Sequence, residues 1–202
     1  MKLYFSPLAC SMATRIALYE TGEEADFIAV DLGTKRAGEE DFLTISPLGY
    51  VPALKTDDGK ILTENAAILQ YVGRRRMESG LVPRDDPALA LLQQWLCFIS
   101  SELHAGVFSP LFSRESDDAV KAHALKKAAS RFTYLDHALQ ERDTLLDRFT
   151  VADAYLFTVV NWAQATPIKL QQWKEVSRYH AATSKRPSVA RALAAEVPLY
   201  RA

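Results

Sequence analysis

The sequence predicts a mixed α/β N-terminal half followed by an all-helical C-terminal half. All eight glycines lie at or before Gly106, so the last 96 residues have none and read as helices packed on helices. The first half alternates short β-like runs with amphipathic helical ones. Between the halves, Met77–Asp86 carries Gly80, Pro83 and a charge cluster and reads as a linker. The implied domains are residues 1–78 and 87–202.

Lys2–Phe5 alternates as a short strand closed by Ser6-Pro7. Ser11–Thr21 has Met12, Ile16, Leu18 and Tyr19 on one side and Gly22 as its stop, which is a helix. Asp26–Asp31 reads as a second strand, Gly33–Glu40 as a polar loop and Asp41–Ile45 as a short helix. Pro52–Lys55 and Lys60–Leu62 flank Asp57-Asp58-Gly59, a hairpin signal. Glu64–Arg76 is helical and ends in the basic run Arg74-Arg75-Arg76, suited to a helix C-terminus. The order is therefore β-α-β-(α)-β-β-α. Pro87 opens a long helix to about Phe108, and Asp117 or Asp118 starts another to about Glu141. Thr150 and Asp153 form a Thr-x-x-Asp capping box with Phe149 as staple. The helix that follows, to about Gln164, is nearly all apolar and is expected at the centre of the second domain. Leu170–Ala182 and Pro187–Ala195 complete the helical set.

Composition narrows the function. Charged residues are 24% and the net charge is -1, which gives no electrostatic drive toward nucleic acid or anionic lipid. The start shows no secretory pattern and no stretch suits a bilayer span, so the reading is a soluble cytoplasmic protein without membrane partners. Cys10 and Cys97 are the two cysteines, too few for a disulfide framework. No cluster has metal-ligand spacing, and no glycine-rich phosphate loop or nucleophile elbow appears.

Four features carry chemistry. Cys10 sits at a helix start, where unpaired N–H groups and partial positive charge favour a thiolate; the same placement also suits a buried, inert cysteine. Cys10-Ser11-Met12-Ala13 has one cysteine, so redox cycling would need an external thiol. Val51-Pro52 suits either a cis bond in a tight turn, with Val51 backbone groups open to a peptide-like ligand, or an ordinary trans proline. Thr63-Glu64-Asn65 opens a helix: a ligand carboxylate on the Asn65 N–H and an ammonium on Glu64 fit, and so does plain capping by Thr63. Cys97, Ser101 and His104, spaced by four and three, line one side of an α-helix.

Met1–Gly22 (MKLYFSPLACSMATRIALYETG), Ser46–Ala53 (SPLGYVPA), Leu62–Tyr71 (LTENAAILQY), Trp95–His104 (WLCFISSELH) and Phe149–Val159 (FTVADAYLFTV) together resemble the bacterial glutathione S-transferases of the beta class, in register over nearly the whole chain. The resemblance implies a thioredoxin-like N-terminal domain, an all-α C-terminal domain and a homodimer. It implies glutathione as co-substrate, no metal, and a small hydrophobic electrophile as second substrate. Cys10 matches the class cysteine that contacts the glutathione sulfur and can form a mixed disulfide with it. His104 matches the histidine facing that sulfur. Lys35 matches the lysine for the glycyl carboxylate, and Val51, before the cis Pro52, the residue pairing with the cysteinyl backbone. Glu64 and Asn65 match the grip on the γ-glutamyl end. Ser101 and Glu102 fall in the stretch that completes the site, partly across the dimer interface.

Three departures stand out. Cys97 replaces a usual asparagine, Leu8 a common glycine, and Asn65 a small residue. Leu145–Arg148 also lacks the glycine usual before the capping box. The electrophile pocket is expected along Tyr4, Phe5, Leu8, Phe108, Phe112 and the last helices. The expected activity is conjugation to electrophiles, with thiol-transferase or peroxidase activity through Cys10. The alternatives are a glutathione-dependent dehalogenase, isomerase or lyase on the same scaffold, or a non-catalytic glutathione-binding protein.

Overall fold

Alternation at the N-terminus becomes strand β1 (Lys2–Phe5), with Leu3, Tyr4 and Phe5 buried. In this computed structural model, which describes residues 1–200, β1 is central in a four-stranded sheet of order β2-β1-β5-β6. β2 (Asp26–Ala29) runs parallel to it, with Leu3 opposite Phe27. β5 (Ala53–Lys55) runs antiparallel, with Leu3 opposite Leu54, and β6 (Ile61–Leu62) pairs with β5 through the expected hairpin. Gly59, at φ +83, makes that turn, a conformation glycine adopts without steric cost.

Helix α1 (Ser11–Thr21) has the predicted bounds, and Gly22 caps it in the left-handed conformation. Helix α2 is Asn65–Arg75. The polar loop holds more structure than its composition suggests: β3 (Arg36–Ala37) and β4 (Glu40–Asp41) form a two-residue ribbon. The short helix after it is a 3-10 turn, Phe42–Thr44, with Asp41 accepting the Leu43 N–H at 3.0 Å.

The helical unit begins with α3 (Asp86–Cys97), capped by Asp85, and continues without a break into a π-helical stretch, Phe98–Phe108, and α4 (Ser109–Phe112). α5 is Asp118–Ala138, with Asp117 accepting the Val120 N–H at 2.8 Å. α6 (Val151–Asn161) is the expected centre: every residue from Val151 to Val160 is buried. Its capping box forms, with the Thr150 N–H donating to Asp153 Oδ2 at 2.8 Å. The Leu145 N–H donates to Asp153 Oδ1 at 2.9 Å, so the preceding turn closes on the same carboxylate without the missing glycine. α7 is Lys174–Thr183.

The chain divides into two units, Pro83–Lys185 and Met1–Val82 with the segment from Arg186 onward. The last helix, α8 (Pro187–Glu196), reads in sequence as part of the helical set, yet it groups with the first unit. It packs against α1, and two ion pairs tie it to the first unit. Arg186 reaches Glu20 with Nε at 2.6 Å and Nη2 at 2.7 Å. Glu196, fully buried, takes the Arg15 Nε at 2.7 Å, and Arg15 lies over the rings of Phe27 and Phe5 at 3.8 and 4.4 Å.

Removing one partner of a buried pair strands the other charge. Glu196→Ala is therefore expected to lower unfolding free energy by about 3–5 kcal/mol, read from urea denaturation at constant slope; a loss below about 1 kcal/mol contradicts a structural role for this pair.

Candidate active site

Residues 6–10 join β1 to α1 and end at Cys10. Ser11 ties the loop locally, its Oγ donating to the Ser6 carbonyl at 3.2 Å. Leu8 lies in the left-handed region at φ 59. Its N–H donates to Glu196 Oε2 at 2.7 Å, so the carboxylate that holds Arg15 also holds this turn.

The Cys10 Sγ donates to the Val51 carbonyl at 3.1 Å, and the Val51–Pro52 bond is cis. Burial pushes the Cys10 thiol up to about 12; the backbone N–H groups of Cys10 and Ser11 pull the other way, and the Glu64 charge raises it further. Desolvation wins because a buried anion loses more hydration than two backbone donors return. Of the two fates open to Cys10 in the sequence, the structure has the buried, protonated one.

Asn65 joins the same cluster. Its Nδ2 donates to the Cys10 carbonyl at 3.1 Å and its Oδ1 accepts from Thr14 at 3.0 Å, so the side chain is a strut between α1 and α2. The Ala67 and Ile68 N–H groups both return to the Glu64 carbonyl at 3.0 Å, which leaves the backbone N–H groups of Asn65 and Ala66 at the start of α2 for an anion. Capping by Thr63 does not occur: the cap position is Glu64, exposed and at φ 65. Lys35, at φ 57, lays its chain over Gly49 and donates from Nζ to the Gly49 carbonyl at 3.0 Å. Among the described residues, three of the four non-glycine residues with positive φ are Leu8, Lys35 and Glu64. Such backbone outliers persist where the surroundings impose them, and they collect at functional sites.

The helical unit places its candidates differently from the expectation. Spacings of four and three align residues in α geometry, but residues 98–108 are π-helical, with hydrogen bonds that skip five residues. Cys97 and Ser101 are exposed, the Ser101 hydroxyl donating to the Cys97 carbonyl at 2.9 Å. Glu102 is held by Arg131 (Nη2 at 2.6 Å) and Lys127 (3.3 Å) on α5. His104 is half-buried: its Nδ1 lies 2.8 Å from the Tyr155 hydroxyl, and its ring meets Trp162 edge-on at 4.8 Å. Burial lowers its pKa to about 4, so the imidazole is neutral at pH 7. Cys97, Ser101 and His104 thus do not share one environment.

Of the expected pocket residues, Tyr4, Phe5 and Phe108 are core, at 4%, 2% and 0% exposure. Tyr4 packs on Phe42, Phe5 on Arg15, and Phe108 on Phe132 and Trp162. Leu8 is half-buried and Phe112 exposed. Glu196, Thr14, Tyr155 and Trp162 were not singled out in the sequence. Nothing there flags them, because each acts through partners 51 to 188 residues away, as for Tyr155 or Trp162, or for Glu196 with Leu8.

Residues 1–74 match the family model for the glutathione S-transferase N-terminal domain, and residues 89–187 that for the C-terminal domain. The chain belongs to the glutathione S-transferase family. Glutathione S-transferase GstA of Escherichia coli O157:H7 is 37% identical over 199 residues, covering 97% of this chain and 98% of that protein. A sphingomonad glutathione S-transferase complexed with glutathione matches at TM-score 0.93 and 39% identity, over 98% of this chain and 99% of that one. A beta class glutathione S-transferase of Sphingomonas chungbukensis matches at 0.93 and 40%, over 97% and 98%. The transferase fold and the beta class likeness expected from the motifs are thereby met.

Two measurements check the electrostatics of this transferase. At pH 8 a thiol with a pKa of about 12 is ionised in about one molecule in ten thousand. A thiol-reactive probe is therefore expected to label Cys97 quickly and Cys10 at least about 100-fold more slowly; equal rates contradict the buried thiol. For His104, the folded pKa of about 4 lies below the unfolded value of about 6.5. Between the two the unfolded chain holds a proton the folded chain lacks, so stability falls as pH drops from 6.5 toward 4. His180 shares the sign. The difference between the parent and His104→Gln is expected to carry on the order of 3 kcal/mol of that loss; identical pH–stability curves contradict it.

Proposed function

We propose that this transferase conjugates glutathione to small hydrophobic electrophiles. The observation that carries the reading is the protonated Cys10 thiol on the Val51 carbonyl, beside the open first turn of α2. It leaves glutathione's own thiol as the group to ionise. That thiol releases its proton to solvent; the thiolate forms a carbon–sulfur bond with the electrophile as the leaving group departs. The sphingomonad relative solved with glutathione supports this ligand here.

The proposed roles follow the resemblance residue by residue. The Val51 backbone, before Pro52, pairs with the cysteinyl unit, and the Lys35 ammonium takes the glycyl carboxylate. Glu64 takes the γ-glutamyl ammonium and the Asn65 N–H its carboxylate. Cys10 lies at the sulfur, and His104 is the residue of the helical unit proposed to act on glutathione. Ser101 and Glu102 complete the site in a homodimer, and Cys97 adds an exposed thiol in place of an amide. Among the described residues no helix is long and apolar enough to cross a membrane, in keeping with a cytoplasmic enzyme. The dehalogenase, isomerase or lyase reading and the non-catalytic reading have no better support.

A second, slower activity fits Cys10. Its thiolate attacks the glutathionyl sulfur of a mixed disulfide, releasing the other thiol and forming a Cys10–glutathione disulfide. A second glutathione thiolate then attacks that bond, giving oxidised glutathione and restoring Cys10. Burial makes the thiolate scarce, so this activity is expected to climb with pH up to at least 9 without a plateau.

Cys10→Ala separates the two. Conjugation of a generic aryl halide is expected to persist within about threefold, while thiol transfer from a glutathione mixed disulfide disappears. Survival of both activities unchanged removes Cys10 as redox centre. Retention on immobilised glutathione without turnover of any electrophile or disulfide would instead establish a binding protein.

A further inference from the structure

The role of His104 turns on which ring nitrogen carries its hydrogen, and the helical unit supplies the group that decides. Tyr155 is 1% exposed on α6, the buried centre of that unit, so its phenol has a fixed position. Its hydroxyl lies 2.8 Å from Nδ1, with the two rings edge-on at 88°. Trp162 closes on the imidazole at 4.8 Å and itself packs against Phe108 and Phe112. A ring flip would replace Nδ1 by a C–H and leave the hydroxyl facing carbon. Nε2 has no hydrogen-bond partner among the described residues, and no buried side-chain nitrogen is left unpaired, so Nε2 is the nitrogen that reaches solvent.

We propose that Tyr155 is a positioning residue whose phenol donates to His104 Nδ1, holding the imidazole as its Nε2–H tautomer, so that His104 meets glutathione as a hydrogen-bond donor and not as a base. The inference rests on the reading that His104 acts on glutathione. A phenol is a stronger acid than a neutral imidazole N–H, and an imidazole nitrogen accepts better than a phenol oxygen, so the shared hydrogen belongs on Tyr155. With Nδ1 occupied as acceptor, the ring hydrogen sits on Nε2. The burial that keeps the imidazole neutral agrees: a group that resists protonation down to about pH 4 is poorly matched to taking a proton from a thiol. The thiol proton leaves to solvent, and Nε2–H stabilises the sulfur anion that remains.

Nitrogen-15 NMR of the imidazoles in the full-length protein at pH 7, with His104 assigned by its loss in His104→Gln, tests this directly. The Nε2–H tautomer is expected; an Nδ1–H tautomer overturns the proposal. Tyr155→Phe keeps the ring and removes the hydroxyl. It is expected to mix the tautomers and lower kcat for aryl halide conjugation by roughly 3- to 10-fold, the worth of one neutral hydrogen bond, with the KM for glutathione unchanged. An unmoved tautomer and kcat overturn the proposal. His104→Gln offers an N–H donor without a basic nitrogen, and it is expected to stay roughly tenfold or more above His104→Ala; equal rates for the two variants overturn the donor role. If His104→Ala conjugates as fast as the parent, the assignment of His104 to glutathione fails, while the NMR result still decides what Tyr155 does to the ring.

Discussion

The first unit is organised around the backbone at Cys10. Five residues between a strand and a helix cannot set their own conformation, and this loop includes Leu8 at φ 59, a geometry that costs a non-glycine residue on the order of 1 kcal/mol. The loop is held from outside, by the Val51 carbonyl 41 residues away, the Asn65 amide 55 residues away and the Glu196 carboxylate 188 residues away. Glu196 is the most demanding of the three, because a buried carboxylate needs both the Arg15 guanidinium and the Leu8 N–H to offset its lost hydration. The same contact that draws α8 into the first unit also sets the turn that delivers the cysteine.

What was legible in the chain was local. Gly22, Gly59, Asp57-Asp58-Gly59 and the Thr150/Asp153 box act through neighbours a few residues away, so the ends of α1, the β5–β6 hairpin and the start of α6 follow from short-range chemistry. The β3–β4 ribbon escaped because two paired residues leave no periodicity to detect. Leu8 drew notice only by contrast with relatives, and its partner Glu196 has nothing in its own helix to mark it. Asn65 drew notice for a ligand, and its side chain is spent instead on Cys10 and Thr14. Long-range pairs of this kind are fixed by tertiary packing, which a one-dimensional pattern does not encode.

The long helix of the second unit shows a different failure. Its apolar residues read as one continuous α-helix, and the axis does continue from α3 to α4, but residues 98–108 are wound as π-helix. The hydrogen-bond step changes within a run whose composition does not. Arguments from spacing therefore brought Cys97, Ser101 and His104 to one face when winding and partners divide them. Glu102 pairs with Arg131 and Lys127. A β-carbon on Gly106 would meet the Lys127 ammonium, which can move, and would lie 2.9 Å from the Ser101 carbonyl five residues back, which cannot, so the wide turn and the glycine belong together.

Two sulfurs in one positive field cannot both carry charge at low cost. Here the competition is settled by burial and not by the helix N-terminus: Cys10 keeps its proton and places it on Val51. In the other unit burial likewise keeps His104 neutral, against a phenol. Each unit therefore holds a neutral group among the residues proposed for the sulfur chemistry, and the formally charged candidates of the first unit, Lys35 and Glu64, are the ones proposed for the two ends of the tripeptide. An arrangement of this kind recognises a zwitterionic peptide by its termini and leaves its thiol as the one group free to become an anion. Conjugation needs that anion; thiol transfer needs the thiolate of Cys10 as well, and so runs against the same burial that makes conjugation favourable.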